Sequence, residues 1–559
     1  MPLMSLMAQI NFKESATDFG VGKSYGFSDL GGGVSFVDFD GDGWDDISYT
    51  TEDGKQLLFY KNQGGKFVLQ DFGLDNTTAA KQILWVDYDN DGDKDLFVTS
   101  INAQNKFYLN EGQMSFTDIS ESIGIFTDNL YTFGAAFGDI DNDGDLDLFI
   151  ANRDIISKSQ RNYLYLNNDG QYEDITVEAG LSLENDLTFC AAFFDFDLDG
   201  YQDIYVVNDR YTKSNKLYRN NGDHTFNDVS VESNTGISID AMSATVGDYN
   251  ADGWFDLYVT NTEEGNFHFK NNGDGSFTNV ATELGTTFAS FAWGAVFLDA
   301  DLDADLDLYV SGMLKGTDPR LPSAFYENEN GIYNIPENAG FEEDKRTSFS
   351  NAIGDVDNDG KPDIIVMNHS ENNFLWHNLS TTNNNWLKVQ LEGVQSNRDA
   401  IGSIIEVSAE DKSQYRYTLA GEGYLGQNSN SEFFGLAQLS QIDYVKVTWL
   451  SGVEDVITDI NVNQTIKIRE GEGVVTAIKD VPAAGNMTVY PNPSVDGKFK
   501  VISNSGIIGL LQISDMLGNQ IFHRNFKEDK VEIDLSEYPS GIYFIRIHQN
   551  TQMLKVVIH

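Results

Sequence analysis

One nine-residue pattern, Asp-x-Asp-x-Asp-Gly-x-x-Asp, recurs seven times along the 559 residues, five times intact and twice with one substitution (Asn250, Ala304), and constrains the fold more than any other feature. It opens at Asp38 (DFDGDGWDDI), Asp87 (DYDNDGDKDL), Asp139 (DIDNDGDLDL), Asp195 (DFDLDGYQDI), Asp248 (DYNADGWFDL), Asp299 (DADLDADLDL) and Asp355 (DVDNDGKPDI), at intervals of 49, 52, 56, 53, 51 and 56 residues. A period of this length marks an array of supersecondary units, each too small to bury its apolar face alone.

The text around each acidic loop repeats as well. An aromatic segment rich in small residues precedes it (FGAAFGD, FCAAFFD, FAWGAVFLD), an apolar run follows (LFVTS, LFIAN, IYVVN), then a turn-flanked strand (KFYLNEG, KLYRNNGD) and a closing motif such as FTDIS or FNDVS. Alternating apolar residues, β-branched and aromatic enrichment and Asn-Gly turns predict four short strands per repeat, the content of a propeller blade. The seventh repeat lacks its closing motif, whereas NFKESATDFGV at 11–21 resembles one and precedes the first loop. The N-terminal strand is therefore expected to complete the seventh blade and leave no free sheet edge. The expected fold is all-β, a seven-bladed β-propeller over 11–385 followed by two small β-sandwich-like domains.

The formal charge is −51, and residues 1–385 hold 66 Asp+Glu against 21 Lys+Arg. Nucleic acid and anionic membranes are excluded as partners by such a balance, and no apolar run approaches the roughly 18 residues of a membrane span. In each loop the side chains at positions one, three, five and nine and the carbonyl at position seven can converge on one hard cation, with glycine at position six allowing the turn, as in an EF-hand loop. The candidate ligands are Asp38, Asp40, Asp42, Trp44 and Asp46 in loop one, and Asp87, Asp89, Asp91, Asp93 and Asp95 in loop two. Loops three and four supply Asp139, Asp141, Asp143, Asp145 and Asp147, then Asp195, Asp197, Asp199, Tyr201 and Asp203. Loops five, six and seven supply Asp248, Asn250, Asp252, Trp254 and Asp256, then Asp299, Asp301, Asp303, Asp305 and Asp307, then Asp355, Asp357, Asp359, Lys361 and Asp363. An all-oxygen set without Cys or His favours Ca²⁺ over zinc, and a flexible loop suits Ca²⁺ better than the tight octahedron of Mg²⁺. Up to seven structural Ca²⁺ are expected. Ala304 replaces the turn glycine of loop six, where a positive φ costs about 1 kcal/mol, so that loop is expected to fill least.

These repeats resemble the FG-GAP/VCBS blades of integrin α-subunit propellers. From Trp386 the acidic loops stop, and SNRDAIG (396–402), GEGYLGQNS (421–429), FFGL (433–436) and VTWLSG (447–452) closely resemble the ASPIC/UnbV domain, here 386–473. Blades followed by that domain are the pattern of the cartilage acidic protein family, which implies a secreted Ca²⁺-binding protein and supplies no catalytic residues to carry over. After a linker at 474–486, residues 487–559 hold seven acids and seven bases, and YPNP, the Asp515–Gly518 turn, IDLS, SGIYFIRI and KVVI resemble the type A sorting domain of Bacteroidetes type IX secretion. About seven strands are expected there. The resemblance implies export through the periplasm, engagement of the type IX machinery by 487–559, and an extracellular or outer-membrane location.

Other signals carry no chemistry. GEGYLG fits GxGxxG but has no helix pattern after it, so it reads as a turn. Cys190 sits in an apolar run and reads as a buried thiol; His369 and His377 lack zinc-ligand spacing; Trp44, Tyr201 and Trp254 are expected to line a blade face rather than stack on sugars. Residues 1–10 read as a signal-peptide remnant. The expected function is a secreted or cell-surface binding or adhesion module, not an enzyme, with a glycan or protein ligand. A lyase-like polysaccharide enzyme, marked by a His/Tyr/Lys cluster in the central channel, and a structural surface component are the alternatives.

Overall fold

The computed structural model describes residues 9–478 except 127 and 411, and beyond them 487–490, 492, 494, 497–514, 520–536, 538–539, 541–547 and 553–558. The residues 1–8 of the expected signal remnant, 479–486 of the linker and the 515–518 turn lie outside them. The chain divides into two compact units, 1–478 and 479–559.

The first repeat is an antiparallel meander of Val34–Val37, Asp46–Tyr49, Leu58–Asn62 and Phe67–Gln70, with its acidic loop joining the first strand to the second. The same four-strand order follows over 80–118, 130–174, 188–228, 244–279 and 292–334. The last meander, Ser348–Gly354, Asp363–Asn368 and Phe374–Asn378, takes its fourth strand from the N-terminus: Phe12–Glu14 pairs antiparallel with it, Phe12 opposite Asn378 and Glu14 opposite Trp376.

The innermost strands are almost entirely buried because each is covered on both faces by neighbouring repeats. Their small residues permit that approach. A Cβ on Gly134 would stand 2.5 Å from the carbonyl oxygen of Phe189 in the next repeat. Side-chain hydroxyls bridge successive repeats, Thr99 donating to the Phe133 carbonyl (2.7 Å), Ser243 to Trp293 (2.6 Å) and Ser350 to Gly32 (2.6 Å), so the last repeat adjoins the first.

Residues 386–478 form two four-stranded sheets. In one, Trp386–Glu392 lies between Ser431–Gly435 and the parallel strand Gln464–Arg469; the other is antiparallel, centred on Ile404–Ala409. Leu387, Val407, Val445, Trp449 and Ile466 share the core between them. Among the described residues of 479–559 there are five strands, two of them long (Lys498–Ser514 and Gln520–Asp534), where the sequence predicts about seven. One strand of seventeen residues pairs with three partners along its length and takes the place of shorter ones.

Phe12 is 2 % exposed and packs on Phe341 at 4.9 Å between ring centroids. Phe12→Ala is expected to cost about 3–5 kcal/mol in urea unfolding. A loss below ~1 kcal/mol would show that the N-terminal strand does not hold the last sheet.

Candidate metal centres

Each acidic loop is wound around its own carboxylates. In six of the seven loops the first aspartate accepts the N–H groups of positions five and six, as Asp38 does from Asp42 (3.0 Å) and Gly43 (2.7 Å) and Asp139 from Asp143 and Gly144 (both 3.1 Å); in loop two Asp87 accepts from Gly92 (2.8 Å) while the N–H of Asp91 goes to Asp89 (3.3 Å). In loop six the N–H of Ala304 makes the same bond to Asp299 at 2.9 Å, with φ at +82°, so alanine adopts the glycine conformation there.

The ninth aspartate is buried and bonded on both oxygens. Asp46 accepts from the N–H of Phe39 (3.2 Å) and of Asn62 (2.6 Å), and Asp203 from Phe196 (3.0 Å) and Asn220 (2.7 Å); all seven repeats keep this arrangement. The asparagine was not singled out in the sequence, although it recurs as the N of LN, RN, KN, EN and HN at the end of each third strand. Its amide also reaches back one repeat, Asn220 to the Ile140 carbonyl, Asn271 to Phe196 and Asn378 to Ala300 (2.8, 2.8 and 2.9 Å).

Carboxylate oxygens gather within 4.8 Å of one another from Asp38, Asp40 and Asp42; from Asp87, Asp89 and Asp95; from Asp139, Asp141 and Asp147; from Asp195, Asp197 and Asp199; and from Asp299, Asp301 and Asp303. One oxygen on each of Asp40, Asp87, Asp141 and Asp197 is buried without any hydrogen-bond partner. Burial, added to by neighbouring carboxylates, pushes Asp38, Asp87, Asp139 and Asp195 up to about 7 and Asp46 up to about 9. Buried, crowded, orphaned hard oxygens suit a hard divalent cation. Most position-seven side chains turn away from the cluster: Trp44, Tyr201 and Trp254 lie over Gly64, Gly222 and Gly273 of their own hairpins, and Asp145 and Asp305 accept the N–H groups of Asp169 and Asn330. Lys361 differs, pairing with Asp359 of its own loop (2.6 Å).

In five of the seven repeats the residue before the recurring asparagine sets the charge beside the cluster; Leu109 and Leu166 stand there in the second and third. Lys61 pairs with Asp42 (3.0 Å), Arg219 with Asp199 (2.7 Å), Lys270 with Asp252 (3.3 Å) and His377 with Asp357 (3.1 Å); in the sixth repeat this position is Glu327, whose charge raises the pKa of Asp301.

The 386–478 region rests on the loop face. Asp399 accepts the N–H of Asp87 (2.8 Å) and pairs with Lys94; Lys388 donates to Asp355 (3.0 Å) and Asn358 (2.7 Å); Ser429 donates to Asp45 (2.7 Å). From this region residues 420–428 enter the space enclosed by the inner strands. Gly426–Gln427 pairs in parallel with Val34–Ser35, Phe137 donates to the Ala420 carbonyl, and Tyr424 and Leu425 pack with Phe133, Phe189, Trp293 and Phe349. GEGYLG is thus a turn, as expected, and its glycines permit the fit: a Cβ on Gly421 would meet Ala135 O at 2.6 Å and one on Gly426 would meet Asn351 O at 2.6 Å. Cys190 is buried and its thiol is pushed up to about 12 by burial. His369 lies edge-on to Phe27 and Phe349.

The larger unit is thus an array of acid-looped four-strand meanders capped by a two-sheet region. Family models match accordingly: FG-GAP-like repeat over 38–98, 87–150, 195–259 and 248–310; ASPIC and UnbV over 393–475; and secretion system C-terminal sorting domain over 488–559. The chain carries all three, and the sorting domain assigns it to the extracellular space or the outer-membrane surface and to the secretion machinery. It is similar to cartilage acidic protein 1 of Xenopus tropicalis, 26 % identical over 206 residues, which are 35 % of this chain and 31 % of that protein. The chain spans about a third of that relative's length. Among solved structures it is similar to BBS1N in complex with ARL6DN (11 % identity, 64 % of this chain and 94 % of that one, TM-score 0.39). It is also similar to PorZ of Porphyromonas gingivalis (10 %, 94 % and 81 %, TM-score 0.22). Among the described residues no helix is long and apolar enough to cross a membrane.

In metal-free protein the loop aspartates keep protons that the unfolded chain releases near pH 4, so their contribution to stability falls as pH rises toward about 7. The melting temperature in EDTA is expected to drop between about pH 5 and about pH 8, and added calcium to raise it more at the higher pH. Equal calcium effects at both would contradict the assignment of these groups.

Proposed function

We propose that the chain is a calcium-stapled, seven-bladed β-propeller (11–385) with an ASPIC/UnbV β-sandwich (386–473), a linker (474–486) and a sandwich-like sorting domain (487–559), working as a non-catalytic binding or adhesion module. The orphaned, buried oxygens of Asp40, Asp87, Asp141 and Asp197 carry the metal reading. Calcium at such loops is structural: it supplies the positive charge that lets seven crowded turns persist. Extracellular calcium modules fill at about 10⁻⁴–10⁻³ M, which suits a protein that works outside the cell.

The filled channel supports a role without catalysis. Lys81 and Tyr424 do converge there, but the ammonium donates to Ser28 Oγ and the Gly31 carbonyl (both 2.8 Å) and the phenol to the Leu30 carbonyl (2.6 Å). Both are spent holding the segment 28–31.

Scanning calorimetry of the full chain tests the metal reading. EDTA is expected to lower the melting temperature of the larger unit by about 10 °C or more, and calcium to restore it. An unchanged transition would overturn it. A glycan and matrix-protein array in millimolar calcium and in EDTA then tests the binding role, with a calcium-dependent hit expected and silence in both arms counting against it.

A further inference from the structure

The seven loops share one motif, but the side chains that reach them from outside it differ, most of all at loops six and seven. The register is the same throughout. Tyr60 lies opposite Ile47 and Tyr326 opposite Leu308, and Asn62 and Asn328 donate to the ninth aspartates Asp46 and Asp307 (2.6 and 2.8 Å). Lys61 and Glu327 therefore stand at one place on their third strands. From that place Lys61 reaches Asp40 and Asp42, the third and fifth positions of loop one, and Arg219 reaches Asp197 and Asp199, those of loop four. Glu327 brings a carboxylate to the same two positions of loop six: burial and then Glu327 push Asp301 up to about 6, and burial, Glu329 and Asp303 push Glu327 up in turn.

Loop seven has the opposite surroundings. Lys388 donates to Asp355 (3.0 Å), His377 meets Asp357 (3.1 Å) and Lys361 pairs with Asp359 (2.6 Å), so a base stands on each of positions one, three and five. Among the described residues no other loop has a base on all three. Lys388 is 3 % exposed and Asp355 is fully buried, so water screens that pair little. At loop six the base beside Asp299 is Arg416, which also faces Glu432 and Asp248. Ala304 reproduces the glycine turn at φ +82°, so its strain bears on the folding of the loop and leaves the charge around the cluster unchanged.

We propose that these outside side chains rank the loops for calcium: loop six fills first, with Glu327 offering a further oxygen from the third strand, and loop seven fills last, because the chain's own bases already hold its carboxylates. The inference rests on the calcium reading above and reverses the order that Ala304 alone suggests. Calcium takes roughly six to eight oxygens where a loop offers five positions, and the affinity of such loops is tuned by the number of charged ligands. An added carboxylate therefore helps twice, by completing the shell and by adding charge. A cation entering loop seven meets ammonium groups a few ångström away, and like charges held that close in buried surroundings oppose it.

The test is native mass spectrometry of the full chain through a series of calcium buffers, with the bound ions counted at each free concentration. Glu327→Lys installs the residue of repeats one and five, Lys61 and Lys270. It is expected to move the first uptake step to calcium about tenfold higher or more and to leave the later steps in place. Lys361→Asp gives loop seven the position-seven residue of loops two, three and six, Asp93, Asp145 and Asp305. It is expected to bring the last step to calcium about tenfold lower. Glu327→Gln and Lys361→Gln, which remove charge with little change of shape, are expected to move the same steps by less. A first step unmoved by both Glu327 variants, or a last step unmoved by both Lys361 variants, overturns the ranking and leaves the calcium reading standing. A chain that takes up no calcium at any concentration overturns both.

Discussion

The repeat region hangs from the ninth aspartate of each loop. One buried carboxylate accepts an N–H from its own loop and another from the asparagine two strands on, so the start of the loop, the second strand and the end of the third share a single anchor. Charge-assisted bonds of this kind are short and directional, and removing any partner leaves a buried group unsatisfied. The same anchor forces the other carboxylates together, and the electrostatic strain that results is what a cation would relieve.

Much of this was legible. The seven loops, the strand order and the N-terminal strand beside Asn378 follow from spacing and from a motif missing at one end and present at the other. The role of Asn62 and its six counterparts was visible as a recurring letter but not as a bond, because its partner lies fifteen to twenty-one residues earlier, across a strand reversal. Ala304 was legible as a strained turn, whereas Glu327 gave no signal, since only the fold sets it beside Asp301. The destination of GEGYLG was beyond reach for a stronger reason: Tyr424 meets Leu30 across 394 residues, and no local pattern specifies that distance. In 479–559 the expected strands run together, since Lys498–Ser514 continues through Gly506 and Gly509 instead of turning there.

The two parts of the larger unit are fitted rather than tethered. Lys388, Asp399 and Ser429 each reach a different loop, and the turn at 420–428 supplies backbone partners to inner strands that would otherwise face water. A buried ammonium on Asp355 and a buried carboxylate receiving the N–H of Asp87 tie the cap's position to the conformation of the loops beneath it.

The turn at 420–428 also sets an order of assembly. It lies more than forty residues beyond Asn378, the partner of Phe12, so during synthesis the first and last meanders can meet before the plug emerges. A circuit closed by residues over 360 apart is slow to form, and its inner edges are bare in the interval. The region that caps the loops therefore doubles as the last piece of the space enclosed by the inner strands, and a ribosome or protease that stopped the chain near residue 385 would release a hollow, exposed intermediate instead of a smaller version of the same protein.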